Sequence, residues 1–211
     1  TKEIFRSLIM TTRAFIEQDP AYSKIASRLL QHSLYREVIG ETVFAARRLE
    51  QQYRDAFIRN LKKAVDIGRL DPRLLTFDLE FLARNLKIER DDLFQYLGTQ
   101  VLYDRYFLQD PYEKRVLETP QAFWMRVAMG VALKEKEKNS SVLAFYEILS
   151  SLRFVATTPT LFHSGTVHPQ LSACYLNTVD DSLEHIFKVI SDNSQLSKWS
   201  GGIGTDWTNI R

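Results

Sequence analysis

The sequence predicts a mainly α-helical domain over residues 1–155, followed over 156–211 by the first βαβ elements of an α/β domain. Three observations carry this. Apolar residues recur at three- and four-residue steps up to about Phe154. The six prolines and eight glycines are placed unevenly and divide the chain. After Phe154 the texture changes to turn signals, a run of β-formers, one amphipathic helix and a glycine cluster.

Ile4, Phe5, Leu8, Ile9, Phe15 and Ile16 give a first helical stretch. Asp19 and Pro20 read as an N-cap and first helical position, opening a second helix with Ile25, Ala26, Leu29 and Leu30 on its apolar face. Leu49, Tyr53, Phe57, Leu61 and Val65 place one apolar residue on each turn of a third, ending near Gly68. Asp71 and Pro72 repeat the start signal, and Asp91 or Asp92 begins a further helix through Tyr103 and Phe107. Thr119 and Pro120 open one with Phe123, Val127 and Val131 inward. It runs out in the charged stretch 134–138, read as a solvated face. Ser140 or Ser141 caps the last helix of this part, with Phe145, Ile148, Leu149 and Leu152.

Thr157, Thr158, Pro159 and Thr160 break the helical pattern, and Ser164-Gly165 and His168-Pro169 are turn signals. Residues 171–179 read as a strand. Asp181 with Glu184 forms a capping-box pattern for a helix striped by Leu183, Ile186, Phe187 and Ile190. Gly201, Gly202 and Gly204 read as a tight turn, or as backbone that a ligand can approach closely, before a strand over 207–211. A parallel pair with one helix leaves a face uncovered, so the sequence reads as the truncated opening of a larger α/β domain.

The chain is 45% apolar and 26% charged, which excludes disordered, collagen-like and disulfide-dense secreted classes. Lys plus Arg total 28 against 26 for Asp plus Glu, a net charge of +2 that argues against a nucleic-acid footprint. No apolar run reaches the roughly 20 residues that span a bilayer. The first dozen residues show no signal-peptide pattern. One cysteine, Cys174, fits a reducing cytoplasm and cannot close an internal disulfide. It is either a small buried hydrophobe or a redox or nucleophilic thiol needing a partner elsewhere. His163, His168 and His185 lie near it in sequence without zinc-like spacing, and no metal site is assigned. The helix start at Asp181 offers amides to an anion, or is simply capped. Lys198 and Arg211 are candidate phosphate partners or surface charges.

Four blocks occur in a fixed order: Thr158 to Phe162 with Ser164-Gly165-Thr166; Pro169 to Leu176; Asp180-Asp181-Ser182-Leu183; and Ser197 to Gly204 with Ile210-Arg211. Together with Phe123 to Ala128 after Glu118-Thr119-Pro120, they resemble the large, catalytic subunit of ribonucleotide reductase. The resemblance is dense over about the last 55 residues and looser over the preceding hundred. It implies that the α/β part begins a ten-stranded barrel, and that the activity is radical reduction of ribonucleotides to 2′-deoxyribonucleotides under nucleotide control.

The resemblance also implies site residues. Cys174 matches one half of the redox pair that reduces the ribose 2′ position. Thr158, Ala173 and Gly202 match substrate-contacting positions; Ala173 stands where serine is common, leaving only a backbone contact there. Asp181, Ser182 and Leu183, with Arg211 and Lys198, match the site for a nucleoside triphosphate effector. No cofactor is expected on this chain. The radical comes from a small partner subunit with a di-metal centre or, less in keeping, from cobalamin. The implied partners are a ribonucleotide (di- or triphosphate, the resemblance leaning towards the diphosphate), a second large subunit met through the helix after Asp181, and thioredoxin or glutaredoxin as reductant. The second redox cysteine, the thiyl cysteine and the C-terminal cysteine pair have no counterpart in the 211 residues, and no regulatory cone domain is visible at the start, so the chain alone is expected to be inactive. The alternatives are a nucleotide-binding or dimerising module, and a helical interaction domain with a structural thiol.

Overall fold

A computed structural model of the chain describes residues 2–40, 46–199 and 201–211. Ser200, inside the glycine-rich block, and Thr1 lie outside the described residues. Helix α1 (Lys2–Ala14) packs on α2 (Ala21–Val38), where the Phe5 ring stacks on His32 at 4.9 Å. Asp19 caps as expected, accepting from the Ala21 N–H at 2.8 Å, although the helix starts one residue later than predicted. The buried line of α2 is Ser23, Ala26, Ser27, Leu30, Gln31, Leu34 and Val38, whereas Ile25 is exposed. Polar partners explain the difference: Ser27 Oγ meets Thr99 Oγ1 at 2.7 Å, and Gln31 Nε2 donates to the Asp91 carbonyl at 2.6 Å. A stripe that buries satisfied polar groups is invisible to apolar periodicity.

Helix α3 (Ala46–Asp66) buries Tyr53, Phe57 and Leu61 as predicted, and Gly68 closes it with a φ of +71°. A 3₁₀ turn, Pro72–Thr76, follows the Asp71 cap, and α4 (Leu79–Arg84) follows the Asp78 cap. The single helix predicted from Asp91 or Asp92 is instead three pieces: a 3₁₀ turn (Ile88–Leu93), α5 (Tyr96–Val101) and a π-helical turn (Leu102–Tyr106). Asp91 is no cap. Its carboxylate is buried and accepts from Tyr35 Oη, Tyr53 Oη and Gln121 Nε2 at 2.6, 2.9 and 2.8 Å. A short antiparallel hairpin, β1 (Gln109–Asp110) with β2 (Arg115–Val116), had no sequence signal.

The central helix is α6 (Pro120–Val131), buried from Pro120 through Met129. Val131, expected inward, is exposed where the helix ends. Helix α7 (Lys138–Ser150) begins two residues before the predicted Ser140 cap and turns Val142, Tyr146 and Leu149 inward, leaving Ile148 and Leu152 exposed. Residues 134–137 are solvated, as expected.

Where residues 157–160 were read as breaking the helical pattern, the chain forms a short helix, α8 (Thr158–His163), with Thr157 as N-cap and proline in its first turn. Proline fixes a helical φ and lacks only an N–H that the first turn leaves unpaired, so Thr-Pro starts a helix here. Then come β3 (Cys174–Thr178), α9 (Leu183–Lys198) and β4 (Gly202–Asp206), with β3 and β4 parallel: the expected βαβ unit. Gly202 and Gly204 lie in the strand itself and neither has a positive φ; residues 207–211 follow the strand. Among the described residues no helix is long and apolar enough to cross a membrane.

Candidate functional site

Strand period puts Cys174, Leu176 and Thr178 on one face of the parallel pair, and Tyr175 and Asn177 on the face covered by α9. Cys174 is exposed on the uncovered face of the pair in this chain. Its register partner on β4 is Gly202, whose N–H donates to the Ala173 carbonyl at 2.7 Å. The structure thus brings Cys174, Ala173 and Gly202 together at one end of the pair. Backbone lies close to two glycines here: a Cβ on Gly201 would lie 2.9 Å from the Leu196 carbonyl oxygen and one on Gly202 3.1 Å from the Ala173 carbonyl oxygen.

Thr158 sits at the start of α8, exposed, with its Oγ1 3.0 Å from Tyr106 Oη. Thr160 Oγ1 donates to the Leu171 carbonyl at 2.9 Å, tying α8 to the segment that leads into β3. The other end of α8 is fastened to α6. Arg126, 1% exposed, donates from Nη1 to the carbonyls of Ser164 at 2.8 Å and Leu161 at 3.3 Å. Its Nε and Nη2 reach the Glu118 carboxylate at 2.6 and 3.2 Å. Ser164 Oγ donates to the Val127 carbonyl at 2.7 Å. Gly130 permits this contact, because a Cβ there would lie 2.1 Å from the Gly165 nitrogen.

At the start of α9 the N-cap is Ser182, accepting from the His185 N–H at 3.2 Å, and not Asp181 in a capping box with Glu184. Asp181, not used as the cap, is instead engaged by Arg211 in an ion pair. Leu183 is 75% exposed beside them. Four effector candidates, Asp181, Ser182, Leu183 and Arg211, therefore gather here. Lys198 does not: it lies at the opposite end of α9, about 22 Å along the axis, over the Trp199 ring at 5.5 Å. The apolar stripe of α9 points outward, with Leu183 75%, Phe187 66% and Ile190 46% exposed and Ile186 half-buried. Val189 and Asn193 make the inward contact instead.

His163 and His168 flank Trp199, with ring centroids 6.3 and 4.3 Å from it, in a cleft of about 350 Å³ that Arg69 and Phe162 also line. Burial holds His163 below the ordinary histidine value, against the opposing pull of the Trp199 carbonyl. Sequence reasoning missed Tyr106, Glu118 and Arg126 as supports of α8. The aromatic residues flanking Tyr106 in sequence gave no sign of the contact, which joins positions 52 residues apart.

Residues 92–169 match the ribonucleotide reductase all-alpha domain, and residues 172–211 match the ribonucleotide reductase barrel domain. The chain belongs to the ribonucleotide reductase large-subunit family. Ribonucleoside-diphosphate reductase subunit alpha of Chlamydia muridarum is 51% identical over 210 residues, covering 99% of this chain and 20% of that protein. The Helicobacter pylori protein of the same name is 39% identical over 217 residues, with 100% and 26% covered. The large subunit of Acanthamoeba polyphaga mimivirus is 30% identical over 210 residues, with 100% and 23% covered. The chain thus spans a fifth to a quarter of these reductase subunits. The helical-then-barrel order expected from the resemblance is the order of the two domain matches.

Proposed function

We propose that this chain is the part of a ribonucleoside-diphosphate reductase that supplies one redox thiol, part of the ribonucleotide bed and part of an effector site. The observation that carries the proposal is the exposed Cys174 in register with Gly202 on the uncovered face of β3 and β4. In the overall step a ribonucleotide and two thiols give a 2′-deoxyribonucleotide, a disulfide and water: the 2′ C–O bond breaks, and both thiol electrons enter the sugar. Cys174 is one of those thiols, and the other lies outside this chain, which holds a single cysteine. A strand positions its side chain more rigidly than a loop, which suits chemistry whose intermediates must be kept from side reactions.

In this reading the Gly202 backbone offers a surface without a Cβ, the Ala173 backbone borders it, and the Thr158 hydroxyl reaches an oxygen of the substrate. A nucleoside triphosphate effector is held at the start of α9 by Asp181, Ser182, Leu183 and Arg211. The exposed Leu183, Phe187 and Ile190 support a two-fold contact with a second large subunit along α9. Where the two-fold axis runs across α9, the paired helices are antiparallel, and the Lys198 of the second copy would then come beside the Asp181 cluster. A separate subunit with a di-metal centre supplies the radical, thioredoxin or glutaredoxin restores the thiols, and the setting is the cytoplasm.

The test is Cys174→Ser in the full-length subunit. Multiple-turnover reduction driven by a dithiol is expected to disappear while deoxynucleoside triphosphate binding survives. Unchanged turnover overturns the redox assignment.

A further inference from the structure

We propose that Tyr106 is a positioning residue that aims the Thr158 hydroxyl at a substrate oxygen, an inference that rests on reading Thr158 as a substrate contact. Tyr106 Oη lies 3.0 Å from Thr158 Oγ1, and among the described residues no other side chain hydrogen-bonds that hydroxyl. A phenol is the more acidic of the two hydroxyls, so Tyr106 donates and Thr158 accepts. The Thr158 proton is then left to point outward, where it meets an acceptor oxygen on the phosphate or ribose of a nucleotide. Hydroxyls linked in this way polarise one another, so the outward donor is strengthened as well as aimed.

The tyrosine is built to hold still. Its ring stacks on Phe162 of α8 at 4.6 Å and 10°, and meets Phe123 of α6 edge-on at 6.4 Å and 69°. It is the last residue of the π-helical turn Leu102–Tyr106, closed by the Phe107 N–H donating to the Leu102 carbonyl at 2.9 Å. Such turns are uncommon and recur at functional sites. The far end of α8 is anchored independently by Arg126 and by Ser164 Oγ. Removing the phenol oxygen alone therefore frees the Thr158 hydroxyl without releasing the helix.

The experiment uses the full-length large subunit with its radical-supplying partner and a dithiol reductant, and reads kcat and KM for a ribonucleoside diphosphate. Tyr106→Phe keeps the ring stack and is expected to raise KM about 3- to 10-fold, the range of one ordinary hydrogen bond. Its kcat and melting temperature should stay near those of the unmodified enzyme. Thr158→Ala should raise KM similarly, and the two changes together should cost little more than either alone, because each breaks the same chain of hydroxyls. Should Thr158→Ala raise KM while Tyr106→Phe leaves it unchanged, the inference is overturned and the substrate reading of Thr158 stands. Should Thr158→Ala leave KM unchanged, that reading falls and takes the inference with it. A lowered melting temperature with KM unaltered in Tyr106→Phe, or full additivity of the two changes, also overturns the positioning role.

Discussion

Replacing Arg126 with methionine isolates the contact that holds α8 on the helical domain. Arg126 and Glu118 are 1% and 6% exposed, and two guanidinium nitrogens engage the carboxylate at 2.6 and 3.2 Å. Methionine fills much of the apolar stem but leaves Glu118 with only the Leu108 N–H, at 2.8 Å. It also leaves the Leu161 and Ser164 carbonyls without the donor they share. Removing one member of a buried ion pair costs about 3–5 kcal/mol, because the remaining charge stays desolvated. That is about a fifth or more of the stability of an ordinary domain. Urea unfolding of the chain at pH 7, followed by Trp124 fluorescence, should show a loss of this size at an unchanged denaturant slope. Neutralising the stranded carboxylate as well, in Glu118→Gln/Arg126→Met, should recover at least half of it. Amide exchange across α8 should accelerate in Arg126→Met more than across α3, since the lost donor capped α8. A cost under about 1 kcal/mol would place the pair among solvent-screened ion pairs and refute the argument.

The buried Asp91 gives a pH dependence with a definite sign. Burial pushes its pKa from 3.8 up to about 7, against the pull of donors from Tyr35, Gln121 and Tyr53. The folded chain thus keeps a proton that the unfolded chain has lost, so stability falls as pH rises from about 4 to about 7, by up to about 1.4 kcal/mol per unit. Asp91→Asn should flatten that part of the curve of denaturation midpoint against pH; an unchanged slope would show that Asp91 is not its source. At Gly130 an added Cβ would sit 2.1 Å from backbone in the Gly165 turn. Gly130→Ala should therefore lose about 1–3 kcal/mol by overpacking, beyond the roughly 1 kcal/mol gained in helix propensity. A rise in thermal midpoint would mean that α6 and that turn do not touch.

How legible the molecule was in its sequence depends on what each element buries. Helices α3 and α6 bury apolar side chains at regular steps, and Tyr53, Phe57, Leu61, Phe123 and Val127 were found by that spacing. Helix α2 buries Ser27 and Gln31 against partners more than 55 residues away in sequence, which no local pattern encodes. Helix α9 has a clear apolar stripe, but periodicity identifies a stripe and not the side it faces. The glycine block was read as a turn because glycine is common where φ is positive; here Gly202 and Gly204 are strand, and the close neighbours of Gly201 and Gly202 are the backbone carbonyls of Leu196 and Ala173. Within the site, Cys174 and the Asp181 region stood out as residue types. The pairing of Cys174 with Gly202, the tie of Asp181 to Arg211 and the support of Thr158 by Tyr106 are tertiary facts.

Which way Cys174 faces is settled by strand register, and the register is set from α9. Side chains alternate along a strand, so a slip of one residue would turn Cys174 from the open face to the face under the helix. Asn193 of α9 prevents that slip. It accepts from Asn177 Nδ2 of β3 at 2.6 Å and donates to Thr205 Oγ1 of β4 at 3.1 Å, and those two residues are themselves register partners. The ends of the pair are closed by the Gly202 N–H on the Ala173 carbonyl at 2.7 Å and the Val179 N–H on the Asp206 carbonyl at 2.9 Å. The inner face of α9 therefore fixes the thiol, its outer face carries the exposed Leu183, Phe187 and Ile190, and its first turn carries the Asp181 cluster. On the proposed reading an effector and a second subunit would both meet this one helix. Asn193, bonded to Asn177 of β3 and Thr205 of β4, is then the contact through which a shift of α9 would reach the Cys174–Gly202 bed.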